Sequence, residues 1–285
     1  MTIFKAAAVQ MRSGTSVERN AETFENMVRE AAGNGATYIQ TPEMTGALMR
    51  DRASLKASLR DDAGDLIASA ARRLARELGV HIHVGSTAIA AGEKIANRGF
   101  MIGPDGADIV TYDKIHMFDV DLDNGESWRE SATYQPGVRS VVAELPFASI
   151  GMAVCYDLRF PQLFRAQALA GAEVLTVPAA FTRQTGEAHW HVLLRARAIE
   201  DGAWVIAAAQ GGTHEDGRET FGHSMIVDPW GRIVAEAEHA EPGIVYAEID
   251  TAASAEARKK IPNLKNAREF SVEVVRPAPA LKAAS

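Results

Sequence analysis

The chain has 285 residues, 47% of them hydrophobic, which is enough for a substantial core in one large domain or two small ones. Its 37 acidic and 30 basic residues give a formal charge of −7, so no basic stripe remains to neutralise phosphates. That excludes a nucleic-acid or acidic-membrane partner, and the longest apolar runs, such as 204–209, are too short to cross a bilayer.

Residues 6–10 read as a buried strand. The N-terminus lacks a basic start and a long apolar region, so it reads as this strand and not as a secretion signal. One cysteine without an export signal fits a reducing cytoplasm. Ser16 can cap a helix over 17–34, which Gly33 and Gly35 end. Residues 38–41 form a short strand stopped by Pro42. Leu66, Ile67, Ala70, Leu74 and Leu78 follow the helical period, and Gly79 closes that helix. Residues 80–86 alternate as a strand.

Residues 100–102 and 109–112 flank the turn Gly103-Pro104-Asp105-Gly106 as a hairpin. Strands over 138–145 and 149–154 pair around Pro146, and Pro161 opens a helix reaching 170. A strand over 174–177, a helix over 187–201 and a strand over 204–210 follow. A second hairpin turns at Asp228-Pro229-Trp230-Gly231, ahead of a last strand over 244–249 and a short helix near 251–260. No linker or composition break divides the chain, so it reads as a single domain over 1–285, with 262–285 as a C-terminal extension across a surface or a partner subunit. Helices interleaved with hairpins predict a layered α/β sandwich, not a purely parallel sheet.

Three segments place reactive residues where strands end: Gln40-Thr41-Pro42-Glu43, Tyr112-Asp113-Lys114-Ile115-His116, and the turn at Cys155. A lone cysteine forms neither an intrachain disulfide nor a multi-cysteine metal site, so Cys155 is either core filler or a nucleophile. A thiol needs a base to become a thiolate, a carboxylate can be that base, and an ammonium can stabilise an oxyanion.

Glu43, Lys114, and Cys155 in Cys-Tyr-Asp-Leu-Arg-Phe-Pro resemble, in order and separation, the Glu-Lys-Cys triad of the nitrilase superfamily of carbon–nitrogen hydrolases. The resemblance runs over 5–261, and Glu130 in Trp128-Arg129-Glu130-Ser131 matches a second family glutamate. Residues 185–200 and 221–231 are similar to the branch of deaminated glutathione amidases and omega-amidases.

The resemblance implies a four-layer α-β-β-α sandwich, and a homodimer or higher homo-oligomer joined through helices near the nucleophile. It implies amide hydrolysis through a Cys155 thioester, with no metal or organic cofactor. Glu43 would be the base, Lys114 and the Tyr156 N–H the oxyanion donors, and Glu130 a support for substrate, water or Lys114. The substrate class is a small acid amide, either deaminated-glutathione-like or, for an omega-amidase, 2-oxoglutaramate or 2-oxosuccinamate; nitrile hydrolysis ranks third. A substrate carboxylate calls for an arginine fork, for which Arg159 and then Arg183 are placed. Phe118, Tyr156, Phe181 and Thr182 would complete the pocket. The structural alternative for Arg159 is a pair with Asp157.

Other polar clusters read as structural. Arg195, Arg197 and Glu200 suggest an ion-pair network on one helix. His81 and His83 share a strand face but have no third ligand at useful spacing, whereas His189 and His191 point in different directions. Gly211-Gly212 lacks the context of a phosphate cradle. Outside the enzyme class stands a catalytically silent binding protein on the same scaffold, which the four filled reactive positions argue against.

Overall fold

The computed structural model describes residues 2–122, 125 and 127–276. The first half builds β1 (Ile3–Gln10), α1 (Val17–Gly33), β2 (Tyr38–Gln40), α2 (Arg52–Ser58), α3 (Leu66–Leu78), β3 (His81–Ala91), β4 (Lys94–Ile102) and β5 (Asp108–Asp113). Local chemistry sets its boundaries. The Ser16 hydroxyl accepts the Arg19 N–H at the start of α1, and Asp65 does the same for Ala68 in α3. Gly79 ends α3 in the left-handed region that a side chain would strain.

A small ribbon of β6 (Asp119–Asp121) and β7 (Ser127–Arg129) follows. The second half runs through β8 (Val141–Glu144), β9 (Ser149–Met152), α4 (Pro161–Leu169), β10 (Val174–Thr176), α5 (Arg183–Asp201) and β11 (Trp204–Ala207). It continues with β12 (Gly211–Thr213), β13 (Glu219–Phe221), β14 (Met225–Val227), β15 (Ile233–Glu236), β16 (Gly243–Asp250), α6 (Ala252–Lys260) and α7 (Asn263–Asn266). Two six-stranded sheets result, in the orders β16-β1-β2-β3-β4-β5 and β15-β14-β11-β10-β9-β8. Both are mixed: β1–β2–β3 and β9–β10–β11 are parallel, and the outer strands are antiparallel.

The alternation of β1 explains the layering. Ala7 and Val9 join Phe24 and Val28 of α1 and Leu74 of α3 in one core. Phe4, Ala6 and Ala8 face the other way, into a core with Ile150, Val174 and Ile206 of the second sheet. Trp190, Leu194 and Ala198 of α5 pack on the opposite face of the second sheet, the face that carries Leu175 and Val205, so helices cover both outer faces. The order is α-β-β-α, as the resemblance implied. Near the site the sheets come very close: a Cβ on Gly85 would lie 2.2 Å from the Thr41 carbonyl and 2.4 Å from Pro178. Among the described residues no helix is long and apolar enough to cross a membrane.

Several boundaries differ from expectation. The strand expected over 138–145 shrinks to β8, because Val138 is 98% exposed and has no sheet to cover it. The strand expected from 100 begins at Lys94, where Ile95 and Ala96 are buried against β3. The strand over 204–210 breaks after Ala207 and continues as isolated bridges, Ala209 to Ala179 and Gln210 to Met11. Helix α5 starts at Arg183, and not at 187. The short polar elements α2, β6, β7, β12 and β13 carry no apolar period and were not foreseen. Of the expected extension, 267–276 has no regular structure and is exposed, and 277–285 lies outside the described residues.

Candidate active site

Glu43, Lys114 and Cys155 arrive on three segments that leave strand ends, and the fold brings them together. Glu43 follows β2 and Pro42. Its carbonyl accepts from Gln210 Nε2 at 3.1 Å, and the next residue, Met44, takes a left-handed φ of 54° with its N–H on Ser86 Oγ. Lys114 follows β5, where its N–H donates to the Asn97 carbonyl. Cys155 stands three residues past the end of β9 and opens a short 3₁₀ turn with φ 51°. A left-handed conformation at a non-glycine residue costs about 1–3 kcal/mol and clusters where function demands it.

Asp157 holds the cysteine turn against the lysine segment. Its Oδ2 accepts the Val154 N–H at 2.9 Å and the Tyr112 hydroxyl at 2.7 Å. Its Oδ1 accepts the His116 N–H at 3.0 Å and lies 2.7 Å from His116 Nδ1. This fully buried carboxylate therefore fixes Cys155 relative to Lys114, and it is not the partner of Arg159.

The charges sit in near-complete burial, with Glu43 4%, Lys114 2% and Cys155 8% exposed. Lys114 Nζ donates to Glu43 Oε1 at 2.9 Å and to both oxygens of Glu130 at 3.1 and 2.9 Å. Asn97 Nδ2 donates to the same two carboxylates at 2.9 and 3.3 Å, and the Ala180 N–H reaches Glu43 Oε2 at 2.9 Å. The Cys155 thiol and Glu43 lie close enough to act on each other's ionisation.

Burial pushes the Glu43 carboxyl up, but the Lys114 charge and hydrogen bonds from Cys155, Lys114 and Asn97 outweigh it and hold the group below its ordinary value. Burial and the neighbouring Glu43 carboxylate drive the Cys155 thiol well above its ordinary value, only partly opposed by Lys114. Burial opposes the Lys114 charge, yet Glu130 and Glu43 keep it protonated far above the usual range. The resting state is thus a thiol beside a carboxylate and an ammonium. This arrangement can pass the sulfur's proton to Glu43 as the sulfur attacks an electrophile.

These groups form the floor of a cavity of ≈ 390 Å³. Phe118, Tyr156, Phe181, Thr182 and Arg159 line it, as expected. The Arg159 guanidinium lies 5.5 Å from the Phe181 ring centroid and 6.0 Å from that of Tyr156. Arg183 is not brought to the lining; its side chain is 57% exposed and pairs with Glu219 and Glu187.

Sequence reasoning missed Arg50, Arg52, Arg129 and Arg218 on the wall, together with Trp128, whose ring centroid lies 5.3 Å from the Arg50 guanidinium and 5.2 Å from that of Arg218. It also missed Asn97, which a polar residue inside the apolar run of β4 could have signalled.

The remaining clusters resolve variously. Arg197 pairs with Glu200 as expected, but Arg195 donates to the Gly231 carbonyl instead. His81 packs edge-on against Phe147, and His83 Nδ1 meets the Tyr38 hydroxyl at 2.9 Å. Burial lowers His83 to about 3, which keeps it neutral. Among the described residues the one group of three metal-type ligands is His191, His223 and Glu236, outside the cavity lining and not foreseen.

Residues 5–259 match the family model described as carbon-nitrogen hydrolase. A deaminated glutathione amidase of Yersinia enterocolitica is 40% identical over 274 residues, covering 95% of each chain. An omega-amidase NIT2 of Danio rerio is 32% identical over 282 residues, covering 96% of this chain and 99% of the other. Among solved structures, the C. elegans NitFhit protein superposes with a TM-score of 0.86 at 31% identity; the match covers 94% of this chain and 66% of that longer one. With its sandwich fold and a family match across nearly its whole length, the chain belongs to the carbon–nitrogen hydrolase family.

Proposed function

We propose that the protein is a thiol-dependent amidase that cleaves the carboxamide C–N bond of a small acid of the deaminated-glutathione class through a Cys155 thioester. The observation that carries this reading is the convergence of the Cys155 thiol, a Glu43 carboxylate held ionised by Lys114, and Lys114 itself on one cavity. Glu43 takes the thiol proton as sulfur attacks the amide carbon. Lys114 Nζ and the Tyr156 N–H receive the developing oxyanion; as the second residue of its 3₁₀ turn, Tyr156 has no acceptor for that N–H within the turn. The protonated Glu43 then gives its proton to the leaving nitrogen, and the amine departs as the thioester forms. Water, deprotonated by Glu43, cleaves the thioester to the acid and restores the thiol. Glu130 holds Lys114 in place throughout.

The cavity wall supports the substrate class. An amide of the deaminated-glutathione type carries a carboxylate on each side of the scissile bond, and Arg50, Arg52 and Arg159 offer more cationic forks than one carboxylate needs, whereas Arg129 and Arg218 on the same wall are paired with Asp121 and Asp216. An omega-amidase substrate such as 2-oxoglutaramate has only one carboxylate, which favours the larger diacid. The test compares product release from deaminated glutathione, 2-oxoglutaramate and a simple nitrile, with acid-quenched mass spectrometry for an acyl adduct on Cys155. Wild-type protein should turn over the first fastest and show the adduct, and Cys155→Ser should do neither. Near-wild-type turnover by Cys155→Ser would end the thioester reading.

A further inference from the structure

We propose that His191, His223 and Glu236 form a binding site for a divalent transition-metal ion of the zinc class, separate from the amidase cavity. The three residues come from different elements. His191 lies on α5, His223 just before β14, and Glu236 is the last residue of β15. His191 Nε2 stands 2.7 Å and His223 Nδ1 2.9 Å from the same oxygen, Glu236 Oε1, and the three ligand atoms lie within 4.8 Å of one another. Ligands around tetrahedral zinc, each about 2.0–2.1 Å from the metal, are roughly 3.3 Å apart. An ion therefore needs the trio to open by only a few tenths of an ångström along the two short edges. Two imidazoles and one carboxylate are also the donor set of zinc sites that keep a fourth position for water. The side chains are 34%, 23% and 17% exposed, which leaves that fourth position a route to solvent.

The surroundings hold the donors in this arrangement. His223 adopts a left-handed φ of 55°, and its carbonyl accepts the Trp190 indole N–H at 2.9 Å. The Phe221 ring stacks on the His223 imidazole at 4.2 Å and 20°, and meets His191 edge-on at 5.9 Å. Such supports fix ring orientation, as outer-shell partners do around known metal ligands. A hydrogen-bonded brace without metal would use the same contacts, but it would bind no ion. A bound ion would tie α5 to the β14–β15 hairpin behind β13, whose Glu219 and Thr220 line the cavity.

The test uses the full chain, stripped with a chelator and titrated with zinc chloride by calorimetry. Cobalt(II) absorption serves as a geometry readout. The expected result is one equivalent bound, with cobalt bands of four- or five-coordinate intensity and a zinc-dependent rise in Tm. His191→Ala and the near-isosteric Glu236→Gln should each weaken binding by at least about tenfold, since even outer-shell changes cost that much. Cys155→Ser should leave it unchanged, which separates this site from the catalytic thiol. Absence of zinc binding in the wild type, its survival in both ligand variants, or its loss in Cys155→Ser would overturn the proposal.

Discussion

Glu130 grips Lys114 with both carboxylate oxygens, at 3.1 and 2.9 Å, and its Oε2 also accepts the Phe118 N–H at 2.7 Å. The ammonium is thereby held between two carboxylates, one facing the thiol and one anchoring it from behind. Glu130 is a positioning residue on this geometry. Glu130→Gln keeps the shape but removes the charge that fixes Lys114. Its expected effect is a fall in kcat of about 100-fold, the scale of a 1 Å misplacement, with KM changed little. Steady-state kinetics decide the matter, and a rise in KM at constant kcat would place Glu130 in substrate binding instead.

The electrostatics of Glu43 and Cys155 predict an unusually flat pH profile. In the proposed mechanism Glu43 must be ionised to accept the thiol proton, and it is held below the ordinary 4.5. Activity is therefore lost only as the pH falls through that region. The thiol is held above its ordinary 9.0, and Lys114 above 10.5, so neither ionises to end activity at neutral or mildly alkaline pH. kcat/KM should form a plateau from about pH 5 to 9, within the range where circular dichroism shows the fold intact. An acid limb near about 6.5, the ordinary histidine value, would assign the base to another group.

Much of this site was legible in the sequence because each reactive residue ends a strand, where an apolar run breaks into polar residues. Position near strand ends made Glu43, Lys114 and Cys155 candidates, and it was their resemblance in order and separation to the Glu-Lys-Cys triad that singled them out. The residues that hold them were harder to read. Asp157 read only as a structural partner for Arg159, yet it is fully buried and binds four groups on two segments. Arg50, Arg52, Arg129 and Arg218 lie in loops or short elements, where no period tells a solvated arginine from one turned into a cavity. Arg183 failed for the opposite reason. It begins α5 four residues before the predicted start, and there it faces Glu187 and Glu219. Layering was legible wherever burial enforces alternation, as in β1, and boundaries were not where isolated bridges carry the pairing, as after Ala207.

Arg159 lies over the rings of Phe181 and Tyr156, with Nη2 3.3 Å from His189 Nδ1. A planar guanidinium held beside aromatic rings can meet a carboxylate with two parallel bonds, and an ammonium cannot. Arg159→Lys keeps the charge and loses the fork. With an acid amide as substrate, KM should rise by about tenfold, or roughly 1.4 kcal/mol, while an uncharged amide of similar size should be affected little. Equal losses on both substrates would mean that Arg159 shapes the cavity wall and does not read the carboxylate.

Asp201 supplies a stability test independent of catalysis. It is 1% exposed at the end of α5, where burial first and then the adjacent Glu200 push its carboxyl up to about 6, against the pull of Arg165, Arg197 and Arg258. Its ordinary value is 3.8, so the folded chain binds this proton more tightly than the unfolded chain. The sign follows from linkage: stability from this group falls as pH rises from about 4 through about 6, and the ionised buried carboxylate then costs on the order of 1–3 kcal/mol. Asp201→Asn cannot ionise and escapes that cost. In urea unfolding the variant should be more stable than wild type at pH 7.5 by that order, and the gain should shrink toward zero as the pH approaches about 4. A gain that stays constant across this range would show that packing or hydrogen bonding, and not ionisation of Asp201, separates the two proteins.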